Sequence, residues 1–186
     1  MDEEPELGLI ERWSMTEGAL RRRVGFALLA GLAWALFLLG LGHAGEEPSG
    51  PLILPIPRAS YYHVEAALVI PVRLLAVTLF AGVAHRLLGQ RGEEGAFGAA
   101  FAIVALAAEG SALLFWLLPD VVAYASGGFD LLGAVVRAAA PTTAVATLAF
   151  ATRSFRRVFE VSLGRAFGAA LAGFVLAGVL SGLVLR

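Results

Sequence analysis

Residues 24–43 read VGFALLAGLAWALFLLGLGH, without an acidic residue, an arginine or a lysine. At about 1.5 Å per residue this run is about 30 Å long, the thickness of a bilayer's hydrocarbon core. Arg21, Arg22 and Arg23 precede it, and the Gly42-His43-Ala44 step that ends it resembles a signal-peptide cleavage site. A secretory signal, however, has an apolar segment of roughly 7–15 residues. Six acidic side chains also stand among the first 23 residues. The stretch therefore reads as an uncleaved membrane helix.

Similar apolar runs recur down the chain. Of its 186 residues 59% are hydrophobic, and the mean hydropathy of +0.80 is far above that of a soluble domain. Spans are read at about 24–43, 64–88, 96–118, 131–152 and 166–185. The fold class is an all-α integral membrane protein, a bundle of five transmembrane helices. Residues 24–186 form that domain, and residues 1–23 are a cytoplasmic N-terminal segment. Only 16% of residues are charged and the net charge is −1, so nothing points to nucleic acid as a partner. With no cysteine there is no disulfide, thiolate metal site or thiol catalysis. The partner that composition demands is the lipid bilayer.

The connections give the topology. In the N-terminal segment Ser14 and Glu17 have capping-box spacing, predicting a helix start near Met15, with Leu9, Ile10 and Trp13 placed to rest on the membrane surface or to belong to a frayed tail. Pro48, Pro51, Pro55 and Pro57 exclude a regular helix between the first two spans, and Tyr61 and Tyr62 fit the aromatic belt. The short polar GQRGEEG makes spans two and three an antiparallel hairpin, YASGGFD turns the chain again, and RSFRRVFEVSLGR reads as an interfacial amphipathic helix. One side of the membrane would then carry ten arginines: Arg12, Arg21, Arg22, Arg23, Arg86, Arg91, Arg153, Arg156, Arg157 and Arg165. The other has Arg58 and Arg186 alone. The positive-inside rule puts the N-terminus in the cytoplasm and the C-terminus outside, in a cytoplasmic membrane.

Three charges lie inside these spans. Arg73, in LVIPVRLLAV, is nine residues past the start of span two, and Glu109 is nine before the end of span three. Because the spans are antiparallel, both sit about 14 Å from the outer surface. An unpaired arginine near the bilayer centre costs about 2.5–3.5 kcal/mol on insertion scales, and a glutamate at its own depth relieves this. Ala66, Ala76 and Ala84 share the face of Arg73, and Gly98, Ala102, Ala105 and Ala112 that of Glu109, which allows close approach. An Arg73–Glu109 ion pair is predicted. Arg137 enters span four nearer the surface, within reach of Glu65, Asp120 or Asp130. Pro71 and Pro141 free carbonyls for Thr143, Thr147 or the arginines. Arg73, Glu109, Arg137 and Glu65 thus form either a polar pathway or anion site, or a structural lock between helices.

Enzyme motifs are missing. There is no HExxH, Ser111 in EGSALL has no intramembrane-protease context, and the glycines follow no phosphate-binding pattern. Glu93 and Glu94 form a pair like that of prenyl-protein endopeptidases, but Gly98 stands where their motif has an arginine. His43 and His63 suit belt or capping roles better than a metal site. No catalytic residue, cofactor or metal is expected. In the last span Gly164 with Gly168 and Gly178 with Gly182 have GxxxG spacing, while Ala169, Gly173, Ala177 and Ser181 form a ladder. Packing within the bundle is the first reading of these residues. A membrane-protein partner or a homodimer through this helix is the second.

Two stretches carry a family resemblance. LLGQRGEEGAFGAAFAIVALAAEGSALLFWLLP is similar to the hairpin between helices two and three of the Yip family, where a Gly-rich turn leads into a helix ending near proline. FATRSFRRVFEVSLGRAFGAALAGFVLAGVL resembles their final segment, with a Ser-x-x-Arg-Ala-like step from Ser162 to Ala166. The resemblance implies a five-span bundle related to Rab-GTPase-interacting membrane proteins. It brings no catalytic residues. The chain lacks the family's Asp-Leu-Tyr-Gly-Pro-type motif and long soluble N-terminal region, so no Rab or vesicle role follows. What it implies is an interaction or membrane-organising protein. The alternative is a small transporter, permease subunit or channel using the intramembrane charges.

Overall fold

The computed structural model describes residues 19–48, 55–89 and 96–184, which are predominantly helical and hold no strand. The sequence readings at Met15 and Trp13, in the proline-rich stretch at 49–54 and at Glu93–Glu94 fall outside these residues. Helix α1, Ala19–His43, runs unbroken through the apolar stretch. It stops because Gly45 adopts φ 77°, letting Glu46 N–H reach the Leu41 carbonyl at 3.1 Å and Gly45 N–H that of Gly42 at 3.2 Å. This Schellman closure satisfies carbonyls that the last turn would otherwise leave bare.

A short 3₁₀ turn, Arg58–Ser60, leads into α2, Tyr61–Leu88, which continues through Pro71 and ends at Gly89 with φ 76°. The helical element α3, Ala96–Val158, is far too long for one crossing. It folds back at Gly128, whose φ 67° and ψ −161° lie where only glycine sits without strain. The first arm thus comprises residues 96–127 and the second 129–158. Thr147 Oγ1 in the second arm donates to the Ala107 carbonyl in the first, at 3.5 Å. Helix α4, Leu163–Val184, follows a turn in which Ser162 Oγ caps the new helix by accepting from Arg165 N–H at 3.4 Å.

The first arm departs from the predicted span. It does not stop at WLLPD but continues to the glycine pair. Pro119 cannot donate to the carbonyl of Phe115 and its ring crowds that group. The wide π turn Leu113–Leu117 immediately before it opens the helix enough to pass the proline. The predicted interfacial helix is likewise absent. Residues 153–158 extend the second arm, because no glycine or proline intervenes after Pro141, and the turn comes at 159–162.

The interior is built from small side chains. Ala81 and Ala84 of α2, Ala100 and Ala107 of the first arm, Ala151 of the second and Ala166, Ala169 and Ala170 of α4 are buried in one cluster with Phe80, Ile103 and Phe155. Many leucines and valines are turned outward instead: Leu36, Leu114, Val145 and Leu163 are all about 60% exposed or more. A water-soluble bundle would bury these, so the pattern suits a lipid surround. Among the described residues four helical segments are long and apolar enough to cross a membrane: α1, α2 with its leading turn, α3 and α4.

Two contacts align the ends of the bundle. Arg23 of α1 donates from Nη1 to the Gly98 carbonyl at 3.3 Å, and Arg165 of α4 donates from Nε to the Leu87 carbonyl at 3.2 Å. The start of α1, the end of α2 and the starts of the first arm and α4 therefore lie together. At the opposite end, Tyr124 Oη donates to Glu46 at 3.2 Å and Tyr62 packs edge-on against Phe129.

Candidate functional site

Counted from the turn that joins α2 to the first arm, Arg73 is fifteen residues before Leu88 and Glu109 thirteen after Ala96. Two antiparallel helices at about 1.5 Å per residue bring such positions level. The structure joins them. Arg73 Nη2 and Nε both donate to Glu109 Oε2, at 2.7 and 2.8 Å. Glu109 is 3% exposed and Arg73 18%. Helix geometry contributes too, because Glu109 closes the π turn Ala105–Glu109. That wider turn rotates the carboxylate relative to a regular helix and carries it to the α2 side.

A third helix covers the pair. The Arg73 guanidinium lies 5.2 Å from the ring centroid of Trp34 on α1, which itself packs edge-on against Trp116 at 6.0 Å. The indole face supplies negative quadrupole to a cation whose charge is already paired. Trp116 hydrogen-bonds Asp120 one turn further on, and that side chain is buried although its Oδ1 has no hydrogen-bond partner among the described residues. Neither tryptophan was singled out from the sequence. A depth count would have found Trp34, which is fifteen residues from Ala19, the same distance as Arg73 from Leu88.

The other sequence candidates do not join this group. Arg137 is exposed and donates from Nε to the Gly133 carbonyl of its own helix at 3.1 Å, away from Arg73 and Glu109. Glu65 is half-buried two turns before Arg73, with Tyr62 in its electrostatic environment. Thr147 bonds the first arm rather than a carbonyl freed by proline. His43 and His63 approach to 5.4 Å between ring centroids, with His43 Nδ1 bonding the Leu39 carbonyl at 2.9 Å as a helix cap. No group of three metal-ligating side chains occurs among the described residues.

The glycines of α4 divide into two sets. Gly173 lies against α2 so tightly that a Cβ there would come within 2.3 Å of Phe80 Cδ2 and 2.9 Å of the Phe80 carbonyl oxygen. With Ala169 and Ala177 it forms the buried row of the predicted ladder. Gly164, Gly168, Gly178 and Gly182 have nothing within 4 Å of the Cβ position and face outward. The GxxxG spacings therefore do not serve packing inside this chain. No protein-family model, curated protein or solved structure matches the chain.

Proposed function

We propose that this protein crosses a cytoplasmic membrane five times, with its N-terminus inside and C-terminus outside, and organises or binds other membrane components. On this reading it neither moves a solute nor catalyses a reaction, and it is of Yip type. The fold-back at Gly128 supports counting α3 as two crossings. The clustering of Arg21, Arg22, Arg23, Arg86, Arg153, Arg156, Arg157 and Arg165 toward one end supports the orientation.

The observation that carries the choice against transport is the closure of the charged pair. Arg73 Nε and Nη2 are both spent on one Glu109 oxygen, the carboxylate is 3% exposed, and Trp34 lies over the guanidinium. A transport site must exchange such partners for a solute or water, whereas a lock keeps them. The outward glycines of α4 support a surface for a membrane partner or second copy.

The test is flux. Full-length protein in sealed proteoliposomes should leave proton, chloride and small-anion permeability at the level of protein-free vesicles. A flux that appears with the protein and disappears in Glu109→Gln, while the variant still inserts and keeps its helicity, would transfer the pair to the pathway reading.

A further inference from the structure

A groove runs along the outside of the second arm where it meets the start of α4. Its main cavity has a volume of about 890 Å³, in the upper part of the roughly 300–1,000 Å³ range of small-ligand sites. Arg153, Arg156 and Arg157 stand at one end of it. The rest of the wall is apolar, made by Val145 and Leu148 further along the arm and by Leu163 and Phe167 of α4. A second cavity of about 400 Å³ at Pro141 and Thr142 shares Val145 and prolongs the groove away from the arginines. From Arg153 to Pro141 the helix rises about 18 Å, slightly more than one leaflet of hydrocarbon. Cationic at one end and apolar for the depth of a leaflet, the groove has the pattern of an amphiphile with an acidic head.

Thr152 provides an independent indication. It lines the groove beside Arg153, is 7% exposed, and its Oγ1 is buried without a hydrogen-bond partner among the described residues. Several helical hydroxyls satisfy themselves on the preceding turn: Thr78 bonds the Leu74 carbonyl, Ser126 that of Val122 and Thr142 that of Ala138, all at 2.7–2.8 Å, whereas the buried Ser111 and Thr143 do not. Thr152 does not either, which leaves its O–H available. Arg153 and Arg156 are exposed and make no ion pair among the described residues. Three arginines and a threonine hydroxyl lining the same end of one groove make a donor set for phosphate oxygens.

We propose that this groove binds an anionic phospholipid of the cytoplasmic leaflet. Its phosphate sits among Arg153, Arg156 and Arg157 with a hydrogen bond from Thr152, and an acyl chain lies on Val145, Leu148 and Phe167. The assignment of leaflet rests on the orientation proposed above; the binding itself does not. The recognition is that of basic pockets between membrane helices for acidic headgroups.

The test is native mass spectrometry of the full chain in detergent, titrated with phosphatidylglycerol, with phosphatidylcholine, and with inorganic phosphate. Phosphatidylglycerol should remain bound at least tenfold more tightly than phosphatidylcholine, and millimolar phosphate should not displace it. Arg153→Gln with Arg156→Gln removes two cationic contacts and should weaken phosphatidylglycerol about 30-fold, with helicity and melting unchanged. Thr152→Val keeps the shape and should weaken it severalfold. Equal retention of both lipids, or unaltered phosphatidylglycerol binding in the double variant, overturns the proposal. Displacement by phosphate alone overturns it in favour of a free-anion site. If the lipid binds as described but single cysteines place this end outside the cell, the orientation falls and the site stands.

Discussion

Replacing Glu109 by glutamine removes one charge and almost no volume, so its effect reports on the ion pair rather than on packing. In the native protein two Arg73 donors converge on Glu109 Oε2 at 2.7 and 2.8 Å, and the carboxylate is buried. Removing one member of a buried pair strands the other, at a typical cost of about 3–5 kcal/mol. Arg73 keeps some solvent or lipid-interface access at 18% exposure and keeps the Trp34 face, which places the expected loss near the lower bound, about 3 kcal/mol. The assay is equilibrium unfolding in bicelles or mixed micelles, followed by tryptophan fluorescence and helicity. Arg73→Met with Glu109→Leu should return stability to within about 1 kcal/mol of native, because an apolar pair avoids the desolvation penalty. A Glu109→Gln protein as stable as native would refute the reasoning, as would a double variant less stable than the single one.

Gly173→Leu should prevent α4 from seating on α2, since even a Cβ meets the Phe80 ring and carbonyl. We expect a loss of about 3 kcal/mol or failure to fold, read by melting, against little change for the open Gly168→Leu. Gly128→Ala places a side chain at φ 67° and should cost about 1–3 kcal/mol on the same assay, with intramembrane contacts preserved. Trp34→Leu should cost about 1 kcal/mol in native protein but much less in the apolar double variant of the pair, so a double-mutant cycle isolates the cation–π contact.

The approach of Arg73 and Glu109 was legible because few residues separate two antiparallel helices in the sequence, and residue counts from their facing ends fix relative height. The fold-back within YASGGFD was legible from its glycine pair between two apolar runs. What a count cannot reveal is rotation. The π turns at Ala105–Glu109 and Leu113–Leu117 change the facing of everything after them, and their sequences look like ordinary apolar helix. The passage of the first arm through Pro119 depends on the second of them. Arg137 illustrates a signal that was present and unused. Thr143, Thr147 and Ala151 form a buried row at four-residue spacing, and Arg137 stands about 120° around the helix from Thr143, turned away from the bundle. The continuation of the second arm through Arg156 was read as a separate surface helix because amphipathicity alone does not say where a helix begins.

The claim on which the five-span count depends is that the two arms of α3 cross the membrane in opposite directions, the first of them carrying Glu109 to Arg73 of α2. The chain has no cysteine, so single cysteines report their own side without further engineering. Ser126→Cys lies just before the fold-back and Ser162→Cys in the turn after the second arm, and both positions are exposed. A membrane-impermeant maleimide applied to intact cells should label Ser126→Cys at once and Ser162→Cys only after permeabilisation. Labelling of both from the same side would mean that the second arm does not cross, and the five-span account would be wrong.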